Sequence, residues 1–320
     1  MRKRAVYLGA MIVLTVLSRT AVCAGKIAVE QVTHTKFAIR WFTVTAYGDI
    51  LYVHGGSRAL CLYKTATGKI TEIAPRVKNL AVSLDQKLAG IRVANRNISI
   101  LDLRTRKEVA KLSNLGDIDE IFWTRDNRYL IYAVRESGKS QNLIYYKINY
   151  LTKKKERIFR GRLNNAKFSE DGKYLYYQNK KNIYALDMAG KHRSKRILST
   201  RKEIYSFAPN RDNSLLYWGE RAGADPEFDL YYKNLKTGKT TKINRLESVM
   251  MFFPYWSPDS SFLMFAAARK DQLYHLYKYD LATKKLIELE STGSKPFTYY
   301  DGKNGIIYFA KNQEVYRARI

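Results

Sequence analysis

Residues 251–289, MFFPYWSPDSSFLMFAAARKDQLYHLYKYDLATKKLIEL, read as four short strands in succession. Trp256-Ser257-Pro258-Asp259 ends the first strand in a turn, and Phe262 to Ala267 forms the second. Leu273 to Tyr279 forms the third, and Leu286 to Leu289 the fourth, after a turn at Asp280 to Lys284. Runs rich in Tyr, Phe, Leu and Ile, bounded by Asp, Ser, Pro or Thr, are the sequence mark of strands joined in hairpins. Four in a row make one antiparallel sheet, the unit from which a β-propeller is built.

Weaker copies recur every 38 to 50 residues or so, a period that marks propellers and related arrays. One mark is an aromatic or apolar residue three positions before an Asp or Asn: Val82 with Asp85, Trp123 with Asp126, Phe168 with Asp171, Phe207 with Asn210, and Trp256 with Asp259. A second mark is an apolar strand running into a Thr or Gly turn closed by Lys or Arg. It occurs as LYKTATGK (62–69), ILDLRTRK (100–107), YKINYLTKK (146–154), ALDMAGK (185–191), YKNLKTGK (232–239) and KYDLATKK (278–285). Short polar side chains bond the neighbouring backbone and tolerate unusual dihedrals, so both marks read as turns, and the aromatic as packing between blades.

The marks divide the chain into six complete blades at 36–77, 78–113, 114–159, 160–199, 200–246 and 247–290. Residues 291–320 have room for three strands, Phe297 to Tyr300, Gly305 to Lys311 and Glu314 to Ile320. A blade short of one strand leaves a bare edge. The isolated alternating stretch Lys26 to Val32 supplies the missing strand, which predicts an all-β, seven-bladed propeller closed by pairing the two chain ends. Six blades, with the ends packed elsewhere, is the alternative count.

The first 24 residues carry a different signal. Arg2, Lys3 and Arg4 precede the apolar run Ala5 to Leu17, and Val22-Cys23-Ala24 offers a small-residue cleavage site. This is the pattern of a secretory signal peptide (1–24). It predicts a periplasmic or secreted single domain, 25–320, that does not span a membrane. Cys61 would then be the one remaining cysteine, without a disulfide partner, and its setting in Leu60-Cys61-Leu62-Tyr63 marks a core thiol. The formal charge is +28, of which the leader carries four basic residues. So basic a surface attracts polyanions before any specific contact forms.

PYWSPDSSFLMFAA followed by LYHLYKYDLATKKLIEL resembles the WD40-like (PD40) repeat of TolB-type β-propellers. AKFSEDGKYLYY (166–177) and IFWTRDNRYLIYAV (121–134) are similar to its first half, and LYYKNLKTGKTTKI (230–243) to its second. The resemblance covers the chain after the leader, closely in the sixth blade only, where Ser260 replaces the usual Gly. TolB itself has an N-terminal α/β domain for which there is no room before blade 1, so the expected relative is propeller-only. The resemblance implies an exported scaffold that binds proteins.

Candidate chemistry is sparse. The histidines, His34, His54, His192 and His275, lie far apart in sequence, and no short-spaced ligand pair marks a zinc site. No Gly-x-Ser-x-Gly nucleophile elbow occurs. The reading therefore assigns no catalytic, cofactor or metal residue. The acidic cluster Asp225 to Asp229 reads as a solvated loop; as paired carboxylates it, alongside Asp117, Asp119 and Glu120, would suit the alternative, a lyase or glycosidase acting on acidic polysaccharide. Lys153, Lys154, Lys155 and Arg157 follow one turn, and Lys191, His192, Arg193, Lys195 and Arg196 occupy the equivalent turn of the next blade. Together they form the candidate binding surface. The expected partner is a protein, or an anionic lipid headgroup or polysaccharide; nucleic acid is not expected.

Overall fold

The computed structural model describes residues 28–34, 39–93, 96–136, 142–221, 227–247, 250–269, 273–293 and 298–320. The leader read from the sequence, and Asp225 with it, lie outside the described residues. Seven four-stranded antiparallel sheets form the seven blades of a β-propeller. In blades 1 to 6 the strands follow sequence order from first to fourth, as consecutive hairpins must. Blade 6 comprises Met250–Trp256, Phe262–Ala268, Tyr274–Asp280 and Leu286–Gly293.

The seventh sheet is composite. Thr298–Asp301, Ile306–Lys311 and Glu314–Arg319 supply three strands, and Val29–Gln31 adds the fourth from the other end of the chain. Val29 lies opposite Ala318 and Gln31 opposite Tyr316. The closure continues beyond the ladder: Val32 N donates to Val315 O (2.8 Å), and Val315 N donates to the Oγ1 of the fully buried Thr33 (2.9 Å). Arg317 forks onto both oxygens of Glu30 at 2.8 Å.

The hydrophobic core is divided among the gaps between blades. Side chains alternate across a strand, and here both faces of each blade meet a neighbour. In the second strand of blade 3, Leu130 and Tyr132 face blade 2, while Ile131 and Ala133 face blade 4. The remaining gaps are filled in the same way, including the one that joins blade 7 to blade 1. This two-sided burial explains why the second strands read as continuous apolar runs. Trp123 Nε1 donates to Ala81 O (3.0 Å), and Trp256 Nε1 donates to Ala208 O (2.9 Å), so each indole ties its blade to the preceding one.

The turn marks have a shared structural cause. Ser83, Thr124, Ser169 and Ser257, all buried, each accept the backbone N–H five residues on, and lie within hydrogen-bond reach of that turn's Asp or its strand backbone. The Asp in turn accepts the N–H two residues further along, as Asp259 does from Ser261 (3.0 Å). The last position of the turn has positive φ at Gln86, Asn127, Gly172, Asn213 and Ser260, which tolerates Gly, Asn and a few polar residues. Blade 5 corrects the reading of this mark: Asn210 takes the Ser position and Asp212 the Asp position, so Pro209, and not Phe207, precedes the turn. Asn and Asp offer the same turn chemistry, and the spacing from Phe207 picked the wrong one.

Candidate functional site

Because strands alternate in direction, the turns after the first and third strands share one face of the disc, called here the turn face; all of these turns lie within the described residues. The candidate basic residues sit on it and beside it. Lys153, Lys154, Lys191 and Arg193 are exposed at the two turns, where Lys153 and His192 occupy the positive-φ position. Lys155 and Arg157 lie on the outer strand Lys155–Gly161, and Lys195 and Arg196 on the outer strand Ser194–Ser199. The patch thus wraps from the turn face onto the outer wall of blades 3 and 4. The two turns abut: His192 Nε2 lies 3.8 Å from Glu156 Oε2, and Glu156 also holds Lys147 at 3.1 Å. His192 Nδ1 meets the Asp187 carbonyl at 3.0 Å, so this histidine braces its own turn.

The Asp and Asn side chains of these turns point back into their own backbones. Asn149 Oδ1 accepts from Leu151 and Thr152, and Asp187 Oδ1 from Ala189 and Gly190. Asp102 and Asp280 do the same with Thr105 and Thr283, and these hydrogen bonds hold both carboxyls below their ordinary pKa. The basic side chains point outward and the acceptors inward.

The first strands of the blades enclose a central channel of about 1140 Å³ that opens on the turn face. Its wall is mixed: Ile121, Phe122, Phe168 and Pro254 stand beside Tyr255 and Tyr299, with polar Gln86, Thr124, Asn210 and Ser257 and the cations Arg125, Arg211 and Lys303. Glu170 is the one acidic residue among its described lining; it pairs with Arg125 from blade 3, and Arg211 from blade 5 approaches it at 3.8 Å. Burial and the nearby Arg211 lower the pKa of Arg125. Tyr255 donates its hydroxyl to Thr298 O at 3.1 Å, and burial raises its pKa to about 12.

One lysine stands inside the channel. The first strand of blade 4 breaks register between Asn164 and Lys167, and Asn165 there takes φ 52°. Such a bulge re-aims side chains, and Lys167 reaches across the channel to the Pro254 carbonyl (3.4 Å) in the equivalent bulge of blade 6. The residue as a whole keeps some contact with channel solvent, yet its ammonium is crowded by protein, and this desolvation lowers its pKa to about 8. The sequence reading passed over Lys167, because AKFSEDG presents it as an ordinary polar strand residue.

The acidic clusters are corrected. Glu227 and Asp229 belong to the strand Glu227–Asn234, not to a solvated loop. Asp229 is buried and held by Lys242 (2.6 Å) and Arg245 (2.9 Å), which lower its pKa despite its burial. Asp119 pairs with Arg135 at 2.5 Å, while Glu120 accepts from the Tyr145 hydroxyl at 2.9 Å and has its pKa raised by burial. The histidines do local work: His54 Nδ1 accepts the N–H of Gly56 and Ser57, and the buried His275 contacts Glu288 at 2.8 Å. Among the described residues no three His, Cys, Asp or Glu converge as a metal site would require, and no helix is long and apolar enough to cross a membrane. Cys61 is buried, and burial raises its pKa.

No family model and no curated protein matches the sequence. Solved structures similar to it include an oligogalacturonate lyase in complex with manganese, with a TM-score of 0.68 at 10% identity, covering 92% of this chain and 98% of that one. A second oligogalacturonate lyase, from Vibrio parahaemolyticus, gives 0.66 at 11% identity over 92% and 94%. A chain of the mitotic checkpoint complex gives 0.62 at 13% identity over 100% and 99%. At these identities the likeness is one of fold alone.

Proposed function

We propose that this chain is a non-enzymatic, exported β-propeller scaffold that binds an anionic protein or envelope component on its turn face. The observation that carries the reading is the abutting pair of basic turns in blades 3 and 4, whose Lys and Arg point outward while their polar acceptors are folded onto the backbone. A cation cluster of this kind suits carboxylate or phosphate groups. The repeat in PYWSPDSSFLMFAA supports a TolB-type ancestry, and the mitotic checkpoint complex is a propeller neighbour that works among protein partners. Localisation outside the cytoplasm rests on the charge and apolar pattern of residues 1–24.

The enzymatic alternative, a lyase or glycosidase on acidic polysaccharide, draws on the fold shared with the two oligogalacturonate lyases. The channel weighs against a paired-carboxylate mechanism: Glu170, the one acid of its described lining, is engaged by arginines. Nor do the described residues offer a donor set corresponding to that neighbour's manganese. Two measurements decide. The protein is used to capture ligands from an envelope extract at about 50 mM and then about 300 mM salt, conditions that separate specific contacts from screened attraction. Retention of a component at the higher salt is expected, and complete loss would reduce the basic surface to generic attraction. Incubation with oligogalacturonate is expected to yield no unsaturated uronate; its appearance would establish the alternative.

A further inference from the structure

We propose that the central channel is a binding site for a carboxylate carried on an apolar stem, with Lys167 as its counter-charge. The inference is independent of the turn-face reading, and failure of either leaves the other standing.

Among the described residues Lys167 has no carboxylate partner. An ammonium has three N–H donors, and the Pro254 carbonyl at 3.4 Å accepts one from Lys167. The one carboxylate of the wall, Glu170, is taken by Arg125 and Arg211 at the mouth. Protein crowds this ammonium on one side, and the space on the other is a cavity of about 1140 Å³ open to the turn face, where an anion could pair with it.

The wall selects what carries that carboxylate. Ile121, Phe122, Phe168 and Pro254 form the apolar part of the wall, and the Tyr255 hydroxyl proton is already committed to Thr298. An aliphatic or aromatic stem would gain by burial against these side chains. Such a group comes either as a free apolar acid or as the C-terminal carboxylate of a polypeptide that ends in an apolar residue.

A bound carboxylate also stabilises the protonated amine, so binding takes up protons near pH 8, where the free ammonium titrates. Burial raises the pKa values of Tyr255 and Tyr299 to about 12, and at the mouth stand Arg125, Glu170, Arg211 and Lys303. Above pH 8 the binding-competent fraction falls, and the affinity should weaken about tenfold between pH 7 and pH 9.

The test is calorimetric titration of the full chain with octanoate and octanamide, and with a peptide ending in Leu-Phe as the free acid and as the amide. At least one acid is expected to bind about tenfold more tightly than its amide. The pair that shows the preference identifies the source. Lys167→Met keeps most of the length of the side chain and removes the charge; it should reduce the preference to less than about twofold. Heats measured at pH 8 in buffers of different ionisation enthalpy report proton uptake by the unmodified protein and need no variant. No preference in either pair, a preference intact in Lys167→Met, or binding without proton uptake would each overturn the proposal.

Discussion

The basic patch on blades 3 and 4 and the channel lysine carry the same kind of charge in opposite surroundings. Lys153, Lys154, Lys191 and Arg193 stand in solvent, where water already satisfies them and salt screens them. Lys167 is crowded by protein, with one carbonyl in reach. The difference teaches that count and consequence separate: several solvated cations set how fast and how broadly anions are drawn in, while one desolvated cation sets what can lodge in the channel.

The largest effect should come from removing the buried charge. Folding holds the pKa of Lys167 near 8, below the ordinary 10.5, so between these values the unfolded chain binds more protons and stability rises with pH. Below pH 8 both states are protonated, and the cost of burying the charge is constant. Lys167→Met should therefore stabilise the protein by up to about 3 kcal/mol near neutrality. The gain should shrink from pH 8 and be gone above 10.5, as read by urea unfolding across that range. Destabilisation by Lys167→Met at neutral pH would place the two regions in the same class.

The solvated patch should behave in the reverse way. The combined variant K153E/K154E/K191E/R193E is expected to weaken capture of an anionic partner by about tenfold or more at low salt, with a flatter salt dependence. Its thermal midpoint should change little, since surface substitutions of this kind act within about 0.5 kcal/mol each.

A third substitution probes the frame from which both regions hang. Hydrogen bonding from the Ser257 hydroxyl, together with the Ser261 N–H and hydroxyl that Asp259 accepts, lowers its pKa to about 2. Its contribution is present above the ordinary 3.8 and is lost as pH falls through about 2. Asp259→Ala should cost about 1 kcal/mol at neutral pH and far less under acid conditions, as measured by chemical denaturation. The smallest effect is expected at Glu156, the acid between the two basic turns. Glu156→Gln should tighten binding of an anionic partner by about twofold and leave stability nearly unchanged, because exposed ion pairs contribute little.

Much of the architecture was legible in the sequence because its causes are local. A Ser or Thr two residues before an Asp folds a turn wherever it occurs, and the repeat of Trp123, Phe168 and Trp256 before such turns marks the blades. Ring closure followed from a tally of strands: the last sheet lacked one, and Val29–Gln31 had no nearby partner. The basic turns were legible as charge, and their shared face as a consequence of strand direction. Their contact through Glu156 and His192 was not, because it depends on the distance between neighbouring blades. Lys167 lay further out of reach. Its position depends on a bulge in blade 4 and on a closed ring that brings it to a carbonyl 87 residues away. Asp229 was hidden for a related reason, since its partners Lys242 and Arg245 come from the adjacent strand and neutralise it in a buried setting.

The central claim, that the turn-face patch holds the anionic partner, is tested most directly by one capture experiment on three proteins: the unmodified chain, K153E/K154E/K191E/R193E and Lys167→Met. Each is loaded with envelope extract and washed at about 300 mM salt, where screened attraction between exposed charges is largely gone. The account predicts that the unmodified chain and Lys167→Met retain the same component, and that the patch variant loses it. Retention by the patch variant at the level of the unmodified chain would contradict it.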